Sequence, residues 1–342
     1  MLSDAFVMSE SVPEGRQSTL YQSDKKLNES DVAPARLKAQ YIIRQAQVQL
    51  AADCPVRAQR LTVAGRVRPH DHDYYEIVLV HAGRAVHRTT ADEGTVIGPG
   101  TAIVVPTGAV HTFESPRVLE VTNVYYLSEW LLGDLRSLWD QDGLVPLFLA
   151  RSLFRRPGPW RVPQFELTAE ELSTAARELT EIETEASRAL PSLVYLKSAF
   201  LKVLVILSRA FVREAGAAVA GFSFRPEVWA AMDAVERAIA DGQLFSVEAV
   251  AKSAGLSPDH LTRAFRAAIG LAPREYFQER RVQQASLMLL NPRQSVTDVA
   301  MALGYADSAH LSRIFHRLRG MSPRQYRATY FPGIAATDAA RG

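Results

Sequence analysis

At 342 residues, 47% hydrophobic and 22% charged, the chain is long enough for two domains of ordinary size. Its one cysteine, Cys54, excludes internal disulfides and multi-cysteine metal knuckles. The net charge is only +2, no stretch reaches the about eighteen unbroken apolar residues of a membrane span, and the N-terminus lacks a basic start followed by an apolar run, so a cytoplasmic protein with no membrane contact is expected.

Residues 1–33 are polar, without an apolar period, and read as a flexible arm. A short helix is predicted over 35–50. From 56 to 126, β-branched runs such as EIVLV, AIVVP and VLEVTNVYY alternate with Gly and Pro, which predicts short strands at barrel-like spacing. Strand alternation sends His70, His72, Tyr74 and Glu76 to one face, and His111 follows later in the chain. Strand parity adds Arg88 and Tyr125 as further effector-binding candidates. Three imidazoles and a carboxylate (His70, His72, His111 and Glu76) make a donor set suited to a divalent first-row metal. The same residues can instead line a sensor pocket without metal. Helical patterns dominate after Ser128, with amphipathic helices predicted over 168–190 and 192–214. Leu193, Leu196, Phe200, Leu201, Leu204, Leu207 and Phe211 form a broad apolar stripe whose partner is either the barrel or a second copy of the chain.

The last hundred residues contain one unit twice. Ser246, Val250, Ala251 and Gly255 recur 49 residues later as Ser295, Val299, Ala300 and Gly304. Leu261, Arg263, Phe265, Gly270, Pro273 and Tyr276 recur 50 later as Leu311, Arg313, Phe315, Gly320, Pro323 and Tyr326. Each unit reads as helix-turn-helix: Ser295 caps a first helix with Asp298 as its capping-box partner, Gly304 ends it, and Asp307 starts the second. Residues 246–331 hold twelve Lys and Arg against six Asp and Glu, a net of +6 that leaves −4 for the remainder. Concentrated positive charge suits a polyphosphate partner, and a major groove admits one helix whose N-terminal half reaches base edges. Asp259, Thr262, Arg263, Ser308, Ser312 and Arg313 are therefore expected to read bases, and Arg266, His316, Arg317 and Arg319 to touch phosphates.

The segment GYADSAHLSRIFHRLRGMSPRQYR is close to the signature of the AraC/XylS family of bacterial regulators, which residues 227–330 resemble. The resemblance implies a seven-helix domain, binding to double-stranded promoter DNA and activation through RNA polymerase. It also adds Ala309 to the base-reading positions, where a methyl group can meet thymine but cannot hydrogen-bond. In the N-terminal half, the order His70, His72, Glu76, Gly83, Gly100, Pro106, Gly108, His111 resembles both cupin motifs. Together these readings predict an α+β two-domain chain: arm 1–33, cupin-like effector-sensing barrel with flanking helices 34–166, helical dimerisation or packing region 167–214, linker 215–226, DNA-binding domain 227–331 and tail 332–342. The expected function is an effector-responsive transcription regulator, more an activator than a repressor, a homodimer sensing a small polar metabolite such as a sugar, with no catalytic residues. The competing reading is a metal-dependent cupin enzyme fused to a DNA-binding tail.

Overall fold

The β-branched runs of residues 56–126 form strands, and the helical patterns after Ser128 form helices, in the computed structural model of the chain. The structure describes residues 37–132, 138–139, 141–154, 162–216 and 225–330; the expected arm, the tail and most of the linker lie outside these. In chain order, β1 (Tyr41–Ile43), β2 (Val56–Arg66), β3 (His70–His72), β4 (Tyr75–Ala82), β5 (Ala85–Thr89), β6 (Asp92–Ile97), β7 (Thr101–Val105) and β8 (His111–Tyr126) come first. There follow α1 (Ser128–Leu132), α2 (Leu144–Phe148), α3 (Ala150–Leu153), β9 (Gln164–Glu166), α4 (Ala169–Ala186) and α5 (Leu193–Ala215). The C-terminal helices are α6 (Pro226–Ala240), α7 (Val247–Ser253), α8 (Pro258–Ile269), α9 (Pro273–Leu289), α10 (Val296–Ala302), α11 (Ser308–Arg319) and α12 (Pro323–Tyr330).

The chain divides into two compact units. In the first, the nine strands among the described residues join one sheet organised by β8, which pairs with β2, β3, β4 and β5. Leu61, Val63, Val78, Val80, Ile97, Ile103, Phe113 and Val121 come from different strands yet form one buried cluster, so the sheet curls around them. The opposite face of β8 is covered by helix: the Tyr126 ring lies 5.0 Å from that of Phe200, and Phe165 on β9 lies 5.6 Å from Phe211. Most of the apolar stripe on α5, including Leu196, Phe200, Leu204 and Leu207, is therefore used within the unit. Thr168 caps α4 through a reciprocal pair with Glu171, the start that the sequence pattern predicts.

Residues 35–50 differ from expectation. Among those described there is no helix; β1 instead runs parallel to β3, pairing Tyr41 with His70 and Ile43 with His72. Strand pairing to β3, and the Gln45 backbone N–H donating to Asp73 at 2.7 Å, outweigh the weak helical preference of this short segment.

The second unit contains α6–α12 and, grouped with them, residues 127–154, which the sequence reading places beside the barrel. The reason lies in α9. Arg280 is buried there and donates to both carboxylate oxygens of Glu236 on α6 at 2.7 and 2.8 Å, and to the Leu132 carbonyl at the end of α1 at 3.4 Å. Gln283, one turn on, donates to the Ser152 carbonyl of α3 at 2.8 Å. Charged and amide donors on one helix thus satisfy helix-end carbonyls that would otherwise be left bare. Arg281 points elsewhere: its guanidinium lies 3.6 Å from the centre of the Tyr305 ring while its Nε donates to the Leu303 carbonyl at 2.9 Å, pinning the second turn to α9.

Candidate effector site and nucleic-acid interface

The apolar cluster fills one part of the curled sheet, and polar side chains gather in another. His72 on β3, Glu76 on β4 and His111 on β8 are buried, and one ligand atom from each lies within 4.8 Å of the others. Glu76 Oε2 is 3.6 Å from His72 Nε2 and 3.4 Å from His111 Nε2. None of these three atoms has a hydrogen-bond partner. Buried polar atoms are rarely left so, and three that converge make a centre able to hold a cation or a polar ligand. Two donors bound to one cation at about 2.1 Å stand about 3.4 Å apart at the tetrahedral angle, so the spacing fits a divalent metal. The other oxygen, Glu76 Oε1, accepts from Asn123 Nδ2 at 2.7 Å, which fixes the carboxylate.

Around this centre, burial sets protonation. His111 is held well below the ordinary imidazole range by burial, reinforced by the neighbouring His70, His72 and His87. Burial likewise lowers His70, with the Glu76 charge acting against it, and brings His87 down to about 4. The contact between His111 and Glu76 is therefore one of neutral imidazole with carboxylate rather than an ion pair. Tyr74 and Tyr125 are raised by burial and then by Glu76, so both keep their hydroxyl protons. Their rings meet edge-on at 5.4 Å, and Tyr74 stacks on His72 at 4.6 Å.

The sequence-predicted set comes together with two exceptions. His70 sits beside His111, ring centres 4.4 Å apart, and stacks on Tyr41, but it is not among the three convergent donors. Arg88 is corrected: its side chain is 43% exposed and lies 4.0 Å from Glu114, on the opposite face of β5 from His87. A guanidinium stays at the surface where water and a carboxylate solvate it, so the inward place belongs to His87, which is fully buried. Parity counted from Ala85 identifies His87. Asn123 shares the inward face with Tyr125 two residues on, whereas Gln164, which reaches His87 at 2.8 Å, lies on a three-residue strand with no pattern to mark it.

In the second unit, the two tandem motifs are built alike. Ser257 accepts from the His260 N–H to start α8, and Asp307 from the His310 N–H to start α11. Leu261, Ala264, Phe265 and Ile269 anchor α8, and Leu311 and Phe315 anchor α11. On the outer faces Asp259, Arg263, Arg266, Ala309, Arg313, His316 and Arg317 are exposed, with Thr262, Ser308 and Ser312 half-buried. A groove beside α11 is lined by Ser308, Ala309 and Ser312 together with Thr297 from α10 and the cations Arg293 and Arg324. Arg319 departs from expectation. It donates to Glu279 at 3.1 Å and is only 22% exposed, so it braces α11 on α9 rather than standing free for a phosphate.

Comparison with known proteins gives this architecture its family. Residues 56–194 match the AraC-like ligand binding domain, and residues 250–329 match a helix-turn-helix domain. The HTH-type transcriptional activator RhaS of Shigella boydii serotype 18 is 31% identical over 258 residues, covering 75% of this chain and 86% of that protein. The chain belongs to the AraC family. RhaS of Escherichia coli O1:K1 / APEC, another relative of this AraC-family chain, is 30% identical over 263 residues with the same coverage. ToxT from Vibrio cholerae O395 is a looser structural neighbour, 11% identical with a TM-score of 0.40, covering 82% of this chain and 99% of that one. This AraC-family protein is accordingly an effector-responsive, DNA-binding transcription regulator with an N-terminal sheet-rich ligand-binding domain and a C-terminal helical one. The alternative of a cupin enzyme with a DNA-binding tail has no support, because its relatives are regulators. Among the described residues no helix is long and apolar enough to cross a membrane.

Proposed function

We propose that the protein is a cytoplasmic transcriptional activator that takes a small polar metabolite, such as a sugar, into the polar part of its curled sheet and presents α8 and α11 to successive major grooves. The observation that carries the effector reading is the trio of buried, unpartnered atoms on His72, Glu76 and His111, flanked by the neutral donors Tyr74 and Tyr125. A divalent cation fits that trio; when bound, it supplies a Lewis-acid point on which a hydroxyl or carbonyl of the effector can be held. His72, Glu76 and His111 would hold it, with His70 alongside; Asn123 fixes the carboxylate, and the tyrosines orient the effector.

Asp259, Thr262, Arg263, Ser308, Ala309, Ser312 and Arg313 are proposed as the base-facing positions, with Arg266, His316 and Arg317 on phosphates. The relatives named as activators support contact with RNA polymerase. A homodimer is supported by the apolar residues left over just before and at the start of α5, where Leu190 is 87% and Val194 77% exposed.

Effector titration of operator affinity tests this reading, using operator fragments recovered by genome-wide mapping and a panel of monosaccharides and hydroxy acids. A shift of about fivefold or more that disappears in Glu76→Gln supports it. The same shift persisting in Glu76→Gln and in His111→Ala contradicts the pocket's assignment.

A further inference from the structure

His72 and His70 each have Nδ1 against a backbone carbonyl, that of Tyr74 at 2.7 Å and that of Arg68 at 3.0 Å. A carbonyl can only accept, so each of these Nδ1 atoms carries the proton and each Nε2 presents a lone pair, the form a cation requires. His111 is different. Its Nδ1 faces no carbonyl but His87 Nε2, at 3.4 Å, and His87 Nδ1 faces the side-chain amide of Gln164 at 2.8 Å. An imidazole nitrogen can donate or accept, and an amide offers either role according to which way round it lies. Nothing in this chain of three fixes the His111 tautomer until the Gln164 amide does.

We propose that Gln164, acting through His87, is a positioning residue that selects the His111 tautomer and so switches the pocket between a form in which His111 turns an N–H toward Glu76 and a cation-binding form. With Gln164 Nε2 toward His87, the amide donates to His87 Nδ1, His87 Nε2–H donates to His111 Nδ1, and His111 Nε2–H faces Glu76 Oε2 as a donor. Turning the amide puts Oε1 there instead and exchanges which amide atom is paired: Oε1, buried and without a partner in the first arrangement, gains one as Nε2 gives its own up. His87 then carries its proton on Nδ1 instead of Nε2 and His111 donates from Nδ1, leaving the His111 Nε2 lone pair pointing at Glu76. Each imidazole carries one proton in both states, so the overall charge is the same. Two lone pairs facing each other across 3.4 Å repel, as those of His72 Nε2 and Glu76 Oε2 do across 3.6 Å, and a cation between them relieves both, which favours the second state in an occupied site.

This inference rests on the cation-binding reading of the pocket, and the experiment separates the two. Selective 15N labelling of histidine reports ring tautomers in the full-length, metal-free protein at about pH 8.5, where the imidazoles carry a single proton. In parallel, titration with cobalt(II) reports cation affinity. In Gln164→Glu, whose carboxylate can only accept, His111 should change from the Nε2–H to the Nδ1–H form and cobalt(II) should bind about tenfold tighter. His72 should remain Nδ1–H throughout. His87→Phe keeps a ring against Phe113, now 4.8 Å from that of His87, but cuts the chain; on that background, Gln164→Glu should leave the His111 spectrum and cobalt(II) affinity where His87→Phe alone puts them. An identical His111 tautomer in the wild type and Gln164→Glu overturns the inference, as does an equal response with and without His87. A tautomer change with no cobalt(II) uptake by any variant leaves the relay standing and removes the cation reading.

Discussion

Arg319 donates to Glu279 across 3.1 Å, so a cation that the sequence offers to DNA is instead held between α11 and α9. Arg317, two residues earlier, is exposed. The two should therefore separate on substitution. Arg317→Ala is expected to weaken binding uniformly across sequences and reduce the salt slope by about 1, while Arg319→Ala leaves the slope unchanged and lowers the stability of the domain by about 1–3 kcal/mol. DNA affinity measured across a salt series, beside urea unfolding of the same variants, distinguishes them. An Arg319→Ala protein with wild-type stability and a reduced slope would reverse the assignment.

Gly255 and Gly304 occupy the same place in the two repeats, and both have positive φ, +67° and +68°. A Cβ at Gly255 would meet nothing within 4 Å, whereas one at Gly304 would run into the backbone carbonyl oxygen of Gly242. Gly255→Ala should thus cost only the left-handed backbone penalty, about 1–2 kcal/mol, and Gly304→Ala clearly more, with loss of Arg281's hold on the adjoining turn. Denaturant unfolding of the two variants checks the order; equal losses contradict it.

Protonation of the histidine cluster predicts acid sensitivity of the ligand-binding domain. The folded-state value of His87 is about 4, against about 6.5 when unfolded, so its contribution is complete above pH 6.5. As the pH falls from there, the unfolded chain takes up a proton that the folded one refuses, and the loss levels off below about 4 at an order of 3 kcal/mol. His111, lowered in the same direction, adds to it. Unfolding curves for the wild type should move to lower urea across this interval, and those of His87→Phe should move less. Parallel pH profiles would count against buried neutral His87.

What could be read from the residues alone follows their periodicity. The duplicated motif is legible because caps, glycines and buried positions recur at fixed offsets: Ser295 with Asp298, and Asp307 with the His310 N–H, form as their spacing predicts. His72, Glu76 and Tyr125 are legible for the same reason, since strand alternation assigns their face, whereas His111 is marked by the order of residues that resembles the cupin motifs. Arg88 and His87 show the limit: adjacent residues take opposite faces, and a one-residue error in parity exchanges a surface cation for a core imidazole. Long-range partners leave no local mark. Neither the strand formed at Tyr41–Ile43 nor the Gln164 contact with His87 can be seen without the sheet that brings distant segments together. Arg319 and Arg317 are equally basic in the sequence; only the position of Glu279 on α9 tells them apart.

Arg263 and Arg313 each stand sixth in their helices, exposed, on motifs that share α9 as a common support. Selection of bound sequences from a random DNA pool, run with the wild type, Arg263→Ala and Arg313→Ala, tests the central claim most directly. Each substitution should erase preference at one position and cost about 1–3 kcal/mol on the cognate site, and the two erased positions should lie about one helical turn apart, roughly 10 base pairs. Loss of preference at the same base pair in both variants, or an unchanged preference in either, would contradict a tandem reader.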